Sequence, residues 1–245
     1  AEWKSIIENE AVLVLGPQLA QQVRLWEKDR ILGSRFVLTK KDIEERVGHL
    51  AWKAKARWVV QGFGDPDLLE LARSSPTAGT LTLHMGLLII TAHKFNLILA
   101  DIKTAFLAAD AKAREKPIYA ELPTGGIPGV MPGSLIKLLK PIYGQVDAPL
   151  HFFNTLKEYL ARECGCDQSR LDACMFFRRH HGELIGVIVV TVDDLAMGGN
   201  DKMNELVYQP LRKRFTFGAW KEGSGRYCGR LIAQDPRDFR IRIHQ

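Results

Sequence analysis

Apolar residues recur along the chain with helical and strand periods, and their order predicts a mixed α and β fold. Residues 80–93 are apolar on nearly every side, which predicts a buried helix, and residues 74–77 offer it an N-cap. Residues 95–101 predict a buried strand that ends in a carboxylate. After Pro149, apolar residues between 150 and 160 recur at helical spacing, which predicts a second helix.

Shorter patterns extend this outline toward both ends of the chain. Residues 35–39 and 56–60 both predict strands, and the polar stretch 40–48 separates them. Residues 201–215 predict a helix, which Pro210 kinks or shortens because proline has no N–H to donate.

The segment 183–199 has the most informative pattern. A strongly apolar strand runs into the adjacent carboxylates of Asp193 and Asp194, and a short apolar stretch then leads to a predicted Gly-Gly turn. This pattern predicts a β-hairpin with acidic residues at its tip. The order of predicted elements is strand, helix, hairpin and helix. This order predicts an α+β fold with a split βαβ sheet and helices on one face.

Two apolar strands therefore end in acid, one at Asp101 and one at Asp193 and Asp194. Burying an isolated carboxylate is unfavourable, and three carboxylates placed together would repel one another. Divalent cations relieve that repulsion, and a pair of them can clamp the oxygens of a phosphoryl transfer. The alternative is that each acid simply ends its strand in solvent.

Composition limits the function classes without choosing among them. The 245 residues are 46% hydrophobic and 25% charged, as in ordinary globular proteins. The net charge is +6, and residues 24–57 hold ten Lys or Arg against five Asp or Glu, which fits either a polyanionic partner or a well-solvated surface. The four cysteines lack zinc-site spacing, which favours reduced, structural thiols. No apolar stretch reaches the roughly 18 residues of a membrane span, so no membrane partner is expected.

Three longer motifs follow one another along the chain: Lys55-Ala-Arg57-Trp-Val-Val-Gln-Gly-Phe63, Asp101-Ile-Lys-Thr-Ala-Phe-Leu107 and Thr191-Val-Asp193-Asp194. Shorter landmarks lie between them, namely Ser75-Pro-Thr77, Ile118-Tyr119, Leu122-Pro123, Tyr143-Gly144 and Ala148-Pro149. Over about residues 2–232 this ordered set resembles the reverse transcriptase of copia-type LTR retrotransposons. The family's Tyr-Val-Asp-Asp box corresponds to residues 191–194.

The resemblance implies an RNA-directed DNA polymerase with the right-hand fold of fingers and palm. The fingers would be about residues 1–76 and 109–147, and the palm about 77–108 and 148–245. The resemblance also implies two Mg²⁺ ions, with Mn²⁺ as a substitute. It implies that Asp101, Asp193 and Asp194 are the metal ligands. It implies that the nucleotide is bound by Lys55, Arg57, Phe106, Tyr143 and Gly144, and that the primer is contacted by Gly229. Phe106 would be an aromatic gate beneath the incoming sugar, or alternatively a core residue.

The resemblance further implies partners and a setting. The partners would be an RNA or DNA template with its primer, deoxynucleoside triphosphates, and integrase and RNase H domains flanking this chain in one polyprotein. The expected location is intracellular, in a cytoplasmic particle, the nucleus or both.

Departures from the family pattern leave two rival interpretations open. Thr191 replaces the Tyr of the box, the segment 145–147 replaces Leu-Lys-Gln, and Leu150 replaces an Arg. A decayed or domesticated copy would bind nucleic acid without catalysis. Another palm-type enzyme such as a cyclase is the second rival, although the fingers-like segment 55–63 argues against it.

Overall fold

The computed structural model describes residues 2–47, 50–110, 114 and 116–244. The chain forms two compact units, Ala1–Arg73 with Ala109–His151, and Ser74–Ala108 with Phe152–Gln245. We refer to them as the first and second unit.

The helices are α1 (Glu2–Glu8), α2 (Pro17–Trp26), α3 (Thr80–Ala92), α4 (Ala105–Ala108), α5 (Ala148–Arg162), α6 (Asp201–Met203) and α7 (Gln209–Arg214). The strands are β1 (Val12–Leu15), β2 (Ile31–Leu32), β3 (Ser34–Val47), β4 (Leu50–Val60), β5 (Asn96–Ile102), β6 (Tyr119–Glu121), β7 (Leu135–Leu138), β8 (Asp167–Gln168), β9 (Met175–His180), β10 (Glu183–Thr191), β11 (Asp194–Gly199), β12 (Phe217–Glu222), β13 (Ser224–Tyr227), β14 (Arg230–Gln234) and β15 (Ile241–His244). This mixture confirms the predicted α+β class.

The first unit has a small sheet and a long ribbon. The sheet has the order β1-β7-β6-β2, and β3 pairs with β4 as a separate two-stranded ribbon. The polar stretch 40–48 was predicted to separate two strands, yet β3 continues through it as far as Val47. Pairing with β4 satisfies the backbone groups whatever the polarity of the side chains, so the polar sequence did not reveal the strand.

The second unit contains a six-stranded sheet with the order β12-β5-β11-β10-β9-β8. β5 and β10 both run antiparallel to β11, which lies between them, so β5 and β10 are parallel to each other. This arrangement is the predicted split βαβ sheet, with α5 in the connection between the two parallel strands. A second sheet, β13-β14-β15, belongs to the same unit.

Glycines allow helices to approach the six-stranded sheet closely. A Cβ added to Gly86 of α3 would lie 2.4 Å from Val189 of β10, so only glycine fits there without a shift. On the opposite face of β10, a Cβ added to Gly186 would lie 2.6 Å from Met203 of α6. Alternate residues of a strand point to opposite faces, so helical residues meet both faces of the sheet rather than the predicted one.

One buried cluster of the second unit lies between α3 and the two sheets. Its buried members include Leu87 and Ile90 of α3, Leu99 of β5, Val189 of β10 and Tyr227 of β13. Burial of these side chains positions the strands whose ends carry the acidic residues.

Helix α3 differs from its prediction in two details. Its N-cap is Gly79 rather than a residue of the segment 74–77, and no side chain caps it. The helix is not buried on every side, since Leu81 is 73% and Leu88 68% exposed.

The predicted break at Pro210 takes a definite form. Residues Asn204–Tyr208 form a π-helical turn between α6 and α7, which is a known way of accommodating an interruption in helical hydrogen bonding. Across the described ranges, no helix combines the length and the apolar character needed to cross a membrane.

Candidate active site

The sheet brings two of the predicted acidic residues together. Asp101 at the end of β5 pairs directly with Asp194 at the start of β11. Directly opposed residues of antiparallel strands have Cα atoms about 4.5–5.5 Å apart, and their side chains share one face. Both aspartates are half-buried. Residues far apart in sequence therefore place their carboxylates side by side.

Asp193 lies in the two-residue turn of the β10–β11 hairpin and is exposed. Its carbonyl accepts a hydrogen bond from the N–H of Ile102 at 2.8 Å, which ties the turn to the end of β5. The other turn residue, Val192, has a φ of 56°. A β-branched residue rarely adopts this conformation, so the turn is strained and its surroundings must hold it in place.

A second turn reaches the carboxylate of Asp194. The N–H of Cys228 donates to Asp194 Oδ2 at 3.1 Å, and the Cys228 thiol donates to the same oxygen at 3.3 Å. Cys228 and Gly229 form the two-residue turn between β13 and β14, with φ values of 47° and 80°. Positive φ at both positions is typical of a type I′ hairpin turn, and it suits Gly229.

The pKa values in this cluster reflect crowded negative charge. Burial raises the pKa of Asp194, and the charges of Asp193 and Asp101 add to that effect, while the hydrogen bonds from Cys228 oppose it. Partial desolvation and the charge of Asp194 also raise the pKa of Cys228 to about 12, so its thiol stays protonated and donates. The hydrogen bonds from Cys228 therefore offset only part of the effect of burial and of the neighbouring negative charges on Asp194.

Space for the carboxylate of Asp101 depends on a glycine. Gly218 of β12 lies at the irregularity in the β12–β5 pairing. A Cβ added there would lie 2.5 Å from Asp101 Oδ2 and 3.2 Å from its Cγ. Both distances are shorter than ordinary contact, so Gly218 keeps that volume open for the carboxylate.

Phe106 follows Asp101 closely in the fold as well as in sequence. The chain leaves β5 at Ile102, turns at Thr104 with a φ of 52°, and enters the short helix α4. Ala105 and Leu107 of this helix are buried, whereas Phe106 is only half-buried. Its side chain thus differs from those of its two core-directed neighbours.

The residues present fit a divalent-cation site in type and in place. Two aspartates are directly opposed on adjacent strands, and a third lies in the adjoining turn. The pKa of Asp194 is raised first by burial and then by the charges of Asp193 and Asp101, a repulsion that cations relieve. The side chains are not arranged as a ready ligand set, because within the described part of the chain no three His, Cys, Asp or Glu groups are positioned to hold a metal ion. Both hydrogen bonds from Cys228 go to one carboxylate oxygen of Asp194, Oδ2.

The first unit brings together three of the residues predicted to contact the nucleotide. The guanidinium of Arg57 lies over the ring of Tyr143, 5.3 Å from its centroid, in a cation–π arrangement. Tyr143 accepts a backbone hydrogen bond from Val60 at 2.9 Å. Gly144 has a φ of 97°, and an added Cβ would lie 2.0 Å from the Val60 carbonyl oxygen, so the position requires glycine.

Lys55 lies on the same face of β4 as Arg57, because the two residues are two positions apart on one strand. Both are close enough to Glu2 of α1 for their charges to lower its pKa, although burial outweighs them and leaves that pKa raised. The basic pair therefore has an acidic neighbour within its own unit.

A buried ion-pair network explains one departure from the family pattern. Asp147 accepts hydrogen bonds from Arg114 at 2.9 Å and from His151 at 3.0 Å, and Arg114 also donates to Asp65 at 2.6 Å. Burial alone would raise the pKa of Asp147, but the hydrogen bond from His151 and the charge of Arg114 outweigh it and lower the pKa. The segment 145–147 thus has defined structural partners here.

Sequence reasoning missed Gly218 and Cys228 as parts of the site, and also Tyr227, whose hydroxyl lies 2.6 Å from that of Thr191. Their contacts arise from the pairing of β12 with β5 and from the approach of the β13–β14 turn, neither of which has a local sequence signal. All four cysteines are free, and Cys228 is exposed while the other three are buried.

Comparison with known sequences gives matches over most of the chain. A family model described as reverse transcriptase (RNA-dependent DNA polymerase) matches residues 19–245. The truncated transposon Ty1-A Gag-Pol polyprotein of Saccharomyces cerevisiae is 28% identical over 189 residues, which are 76% of this chain and 14% of that protein. The transposon Ty1-LR2 Gag-Pol polyprotein of the same yeast is also 28% identical over 76% of this chain and 10% of its own length. The chain thus spans a small part of these relatives.

Among solved structures, telomerase from Candida albicans, determined in a complex with a fragment of telomeric RNA, superposes with a TM-score of 0.55. The superposition covers 98% of this chain and 48% of the telomerase chain, at 6% sequence identity. At such low identity the likeness concerns the fold alone.

Proposed function

Because this chain belongs to the reverse transcriptase (RNA-dependent DNA polymerase) family, we propose that it adds deoxynucleotides to the 3′-hydroxyl of a primer on an RNA or DNA template. The family is one of nucleotidyltransferases, and the Ty1 relatives confirm the resemblance to copia-type retrotransposons. The activity of this particular chain is the proposal.

One observation carries it: Asp101 and Asp194 are directly opposed in the sheet, with Asp193 in the adjoining turn. These three carboxylates would hold two Mg²⁺ ions, or Mn²⁺ in their place. Such cations, when bound, lower the pKa of a primer hydroxyl and stabilise the charge of the leaving diphosphate. The protein contributes the alignment of the ligands on two paired strands and, through Gly218, the space around Asp101.

The remaining predicted residues would bind and select the substrate. Arg57, oriented over Tyr143, and Lys55 on the same strand face would bind the triphosphate or the template backbone. Gly144 would let the backbone approach the nucleotide closely. Phe106, half-buried just after the β5 acid, would lie beneath the sugar and exclude a 2′-hydroxyl. Gly229, in the turn that reaches Asp194, would contact the primer end.

We assign the fingers to about residues 1–76 and 109–147 and the palm to about 77–108 and 148–245. The division of the chain into units at residues 73–74, 108–109 and 151–152 supports this assignment. The parent polyprotein would also carry integrase and RNase H domains. It would act inside the cell, in a cytoplasmic particle, the nucleus or both.

Primer extension on a homopolymer RNA template with Mg²⁺ tests the proposed activity. Asp193→Asn should abolish extension without loss of folding, since Asp193 is exposed and lies outside the core. Glu183→Gln is the matched control, because Glu183 is an exposed carboxylate at the opposite end of the same hairpin. Full extension by the Asp193 variant would exclude it as a metal ligand.

A decayed copy that binds nucleic acid without catalysis is the second candidate function. It is favoured by the departures from the family pattern at residues 145–147 and at Thr191, where the family has Tyr. The same assay separates the two functions. A wild-type chain that binds a primer–template in a gel-shift experiment, yet extends nothing with either Mg²⁺ or Mn²⁺, would be such a copy.

A further inference from the structure

The carboxylate of Asp194 is held by a turn that belongs to a different sheet. Asp194 lies on β11 of the six-stranded sheet, whereas Cys228 lies between β13 and β14 of the three-stranded sheet. The Cys228 N–H and thiol donate to the same oxygen of Asp194, at 3.1 and 3.3 Å. The orientation of this carboxylate therefore depends on where the second sheet places its turn.

Besides the bonds from Cys228, side-chain hydrogen bonds of Gln234 and Tyr227 attach the three-stranded sheet to its neighbour. Gln234 accepts from the N–H of Leu97 and donates to the carbonyl of Phe95, each at 2.9 Å. The hydroxyls of Thr191 and Tyr227 lie 2.6 Å apart. Tyr227 is 2% exposed and immediately precedes Cys228, so this attachment lies at the base of the turn.

We propose that the hydroxyl pair of Thr191 and Tyr227 is a positioning device for Asp194. The pair fixes β13 to β10 one residue before the turn, and the turn then presents the Cys228 N–H to the carboxylate. Thr191 stands where the copia-type box has Tyr, and the phenol that bonds to it here comes from another sheet. The inference rests on the proposed function, because it concerns Asp194 as a ligand of the catalytic cation.

A hydrogen bond suits this task better than apolar packing does. Packing of the Tyr227 ring in the core is non-directional, whereas a short hydroxyl–hydroxyl bond fixes both distance and angle. A two-residue turn has little freedom of its own, so a shift at Tyr227 is passed on to Cys228. Residues that orient metal ligands through hydrogen bonds typically change metal affinity or activity about 10–100-fold when they are replaced.

Direct titration of Mn²⁺ binding by electron paramagnetic resonance tests the device without relying on catalysis. Tyr227→Phe and Thr191→Val should each raise the dissociation constant about tenfold. The double variant should be no weaker than Thr191→Val alone, because Thr191→Val already removes the bond to Tyr227 along with the hydrogen bond between Thr191 and Cys228. Tyr159→Phe is the matched control, since it deletes a tyrosine hydroxyl bonded at 2.9 Å to the Pro210 carbonyl; Mn²⁺ affinity should not change.

Two comparisons make the outcomes distinct. Asp194→Asn in the same titration tests the proposed function, and unaltered Mn²⁺ binding by that variant would overturn Asp194 as a ligand. If Asp194→Asn loses binding while Tyr227→Phe and Thr191→Val bind Mn²⁺ like the wild type, the positioning role alone is refuted. Thermal unfolding shows which variants are folded. If Tyr227→Phe does not fold, the positioning role is tested by comparing Thr191→Ser with Thr191→Val. Thr191→Ser keeps the hydroxyl and should therefore retain wild-type Mn²⁺ affinity, and equal affinities of these two variants would refute the role.

Discussion

Replacing Gly218 by alanine should impair catalysis far more than it impairs folding. The added methyl would lie 2.5 Å from Asp101 Oδ2, whereas ordinary contact begins near 3.4 Å. The carboxylate must therefore move by about 1 Å, and a misplacement of that size at a reacting centre lowers rates by roughly 100-fold. This factor corresponds to about 2.7 kcal/mol of transition-state stabilisation.

The effect of this substitution on stability should be small for a geometric reason. Gly218 does not have a positive φ, so its backbone accepts alanine, and the clashing group is the end of a side chain. Rotating Asp101 away from its preferred conformation should cost about 0.5–1.5 kcal/mol. Urea unfolding should thus show a modest change, while single-turnover primer extension should slow markedly.

Gly64→Ala is the control for this experiment. Its added Cβ would meet Leu32 Cδ2 at 3.8 Å, which is ordinary contact, so neither stability nor rate should change appreciably. A Gly218→Ala protein that extends primers at the wild-type rate would refute the claim that the position of the Asp101 carboxylate limits the reaction. An unfolded variant would show that the methyl displaces backbone instead.

Three further predictions concern other parts of the chain. Asp147→Asn should lower the free energy of unfolding by about 1–3 kcal/mol, because half-buried Arg114 loses a charged acceptor. The pKa of Asp147 is lowered in the folded state, so its contribution to stability is present at neutral pH and is lost as the pH falls through that pKa. The free energies of unfolding of the wild type and the Asp147→Asn variant, measured in urea, should therefore converge in acid. A difference that stays constant with pH would contradict this. Phe106→Ala should incorporate ribonucleotides far more readily and remain folded, and unchanged discrimination in a competition assay would place the gate elsewhere. Arg57→Lys should raise the KM for deoxynucleotides by roughly 2–5-fold through lost stacking on Tyr143, an effect that an unaltered KM would exclude.

Local patterns in the sequence were enough to predict the hairpin and its acidic tip. The apolar run of β10 and the paired acids each have a direct structural meaning, and the hairpin forms as they indicate. The predicted Gly-Gly turn is wrong, because Gly198 and Gly199 are the last residues of β11 and pair with β10. The strand ending near Asp101 was equally clear. The pairing of Asp101 with Asp194 was inferred from the cost of burying charge rather than from any local signal.

Contacts made through tertiary pairing were beyond the sequence. The polar ribbon of β3 lacks the alternation of a half-buried strand, because its ladder alone satisfies the backbone. The place of Gly218 beside Asp101 depends on an irregularity in the β12–β5 pairing. The bond between Thr191 and Tyr227 joins two sheets, and nothing in the sequence near either residue indicates the other.

The strand register that places Asp101 opposite Asp194 determines which mutations inactivate copies of a retrotransposon of this kind. Successive strand residues face opposite sides, so inserting or deleting one residue within β11 would turn the carboxylate of Asp194 away from Asp101. Many conservative substitutions on the same strands would leave the alignment intact. One-residue insertions and deletions within β11 should therefore inactivate a copy in a single event, whereas point changes at positions other than the aspartates should accumulate before activity is lost.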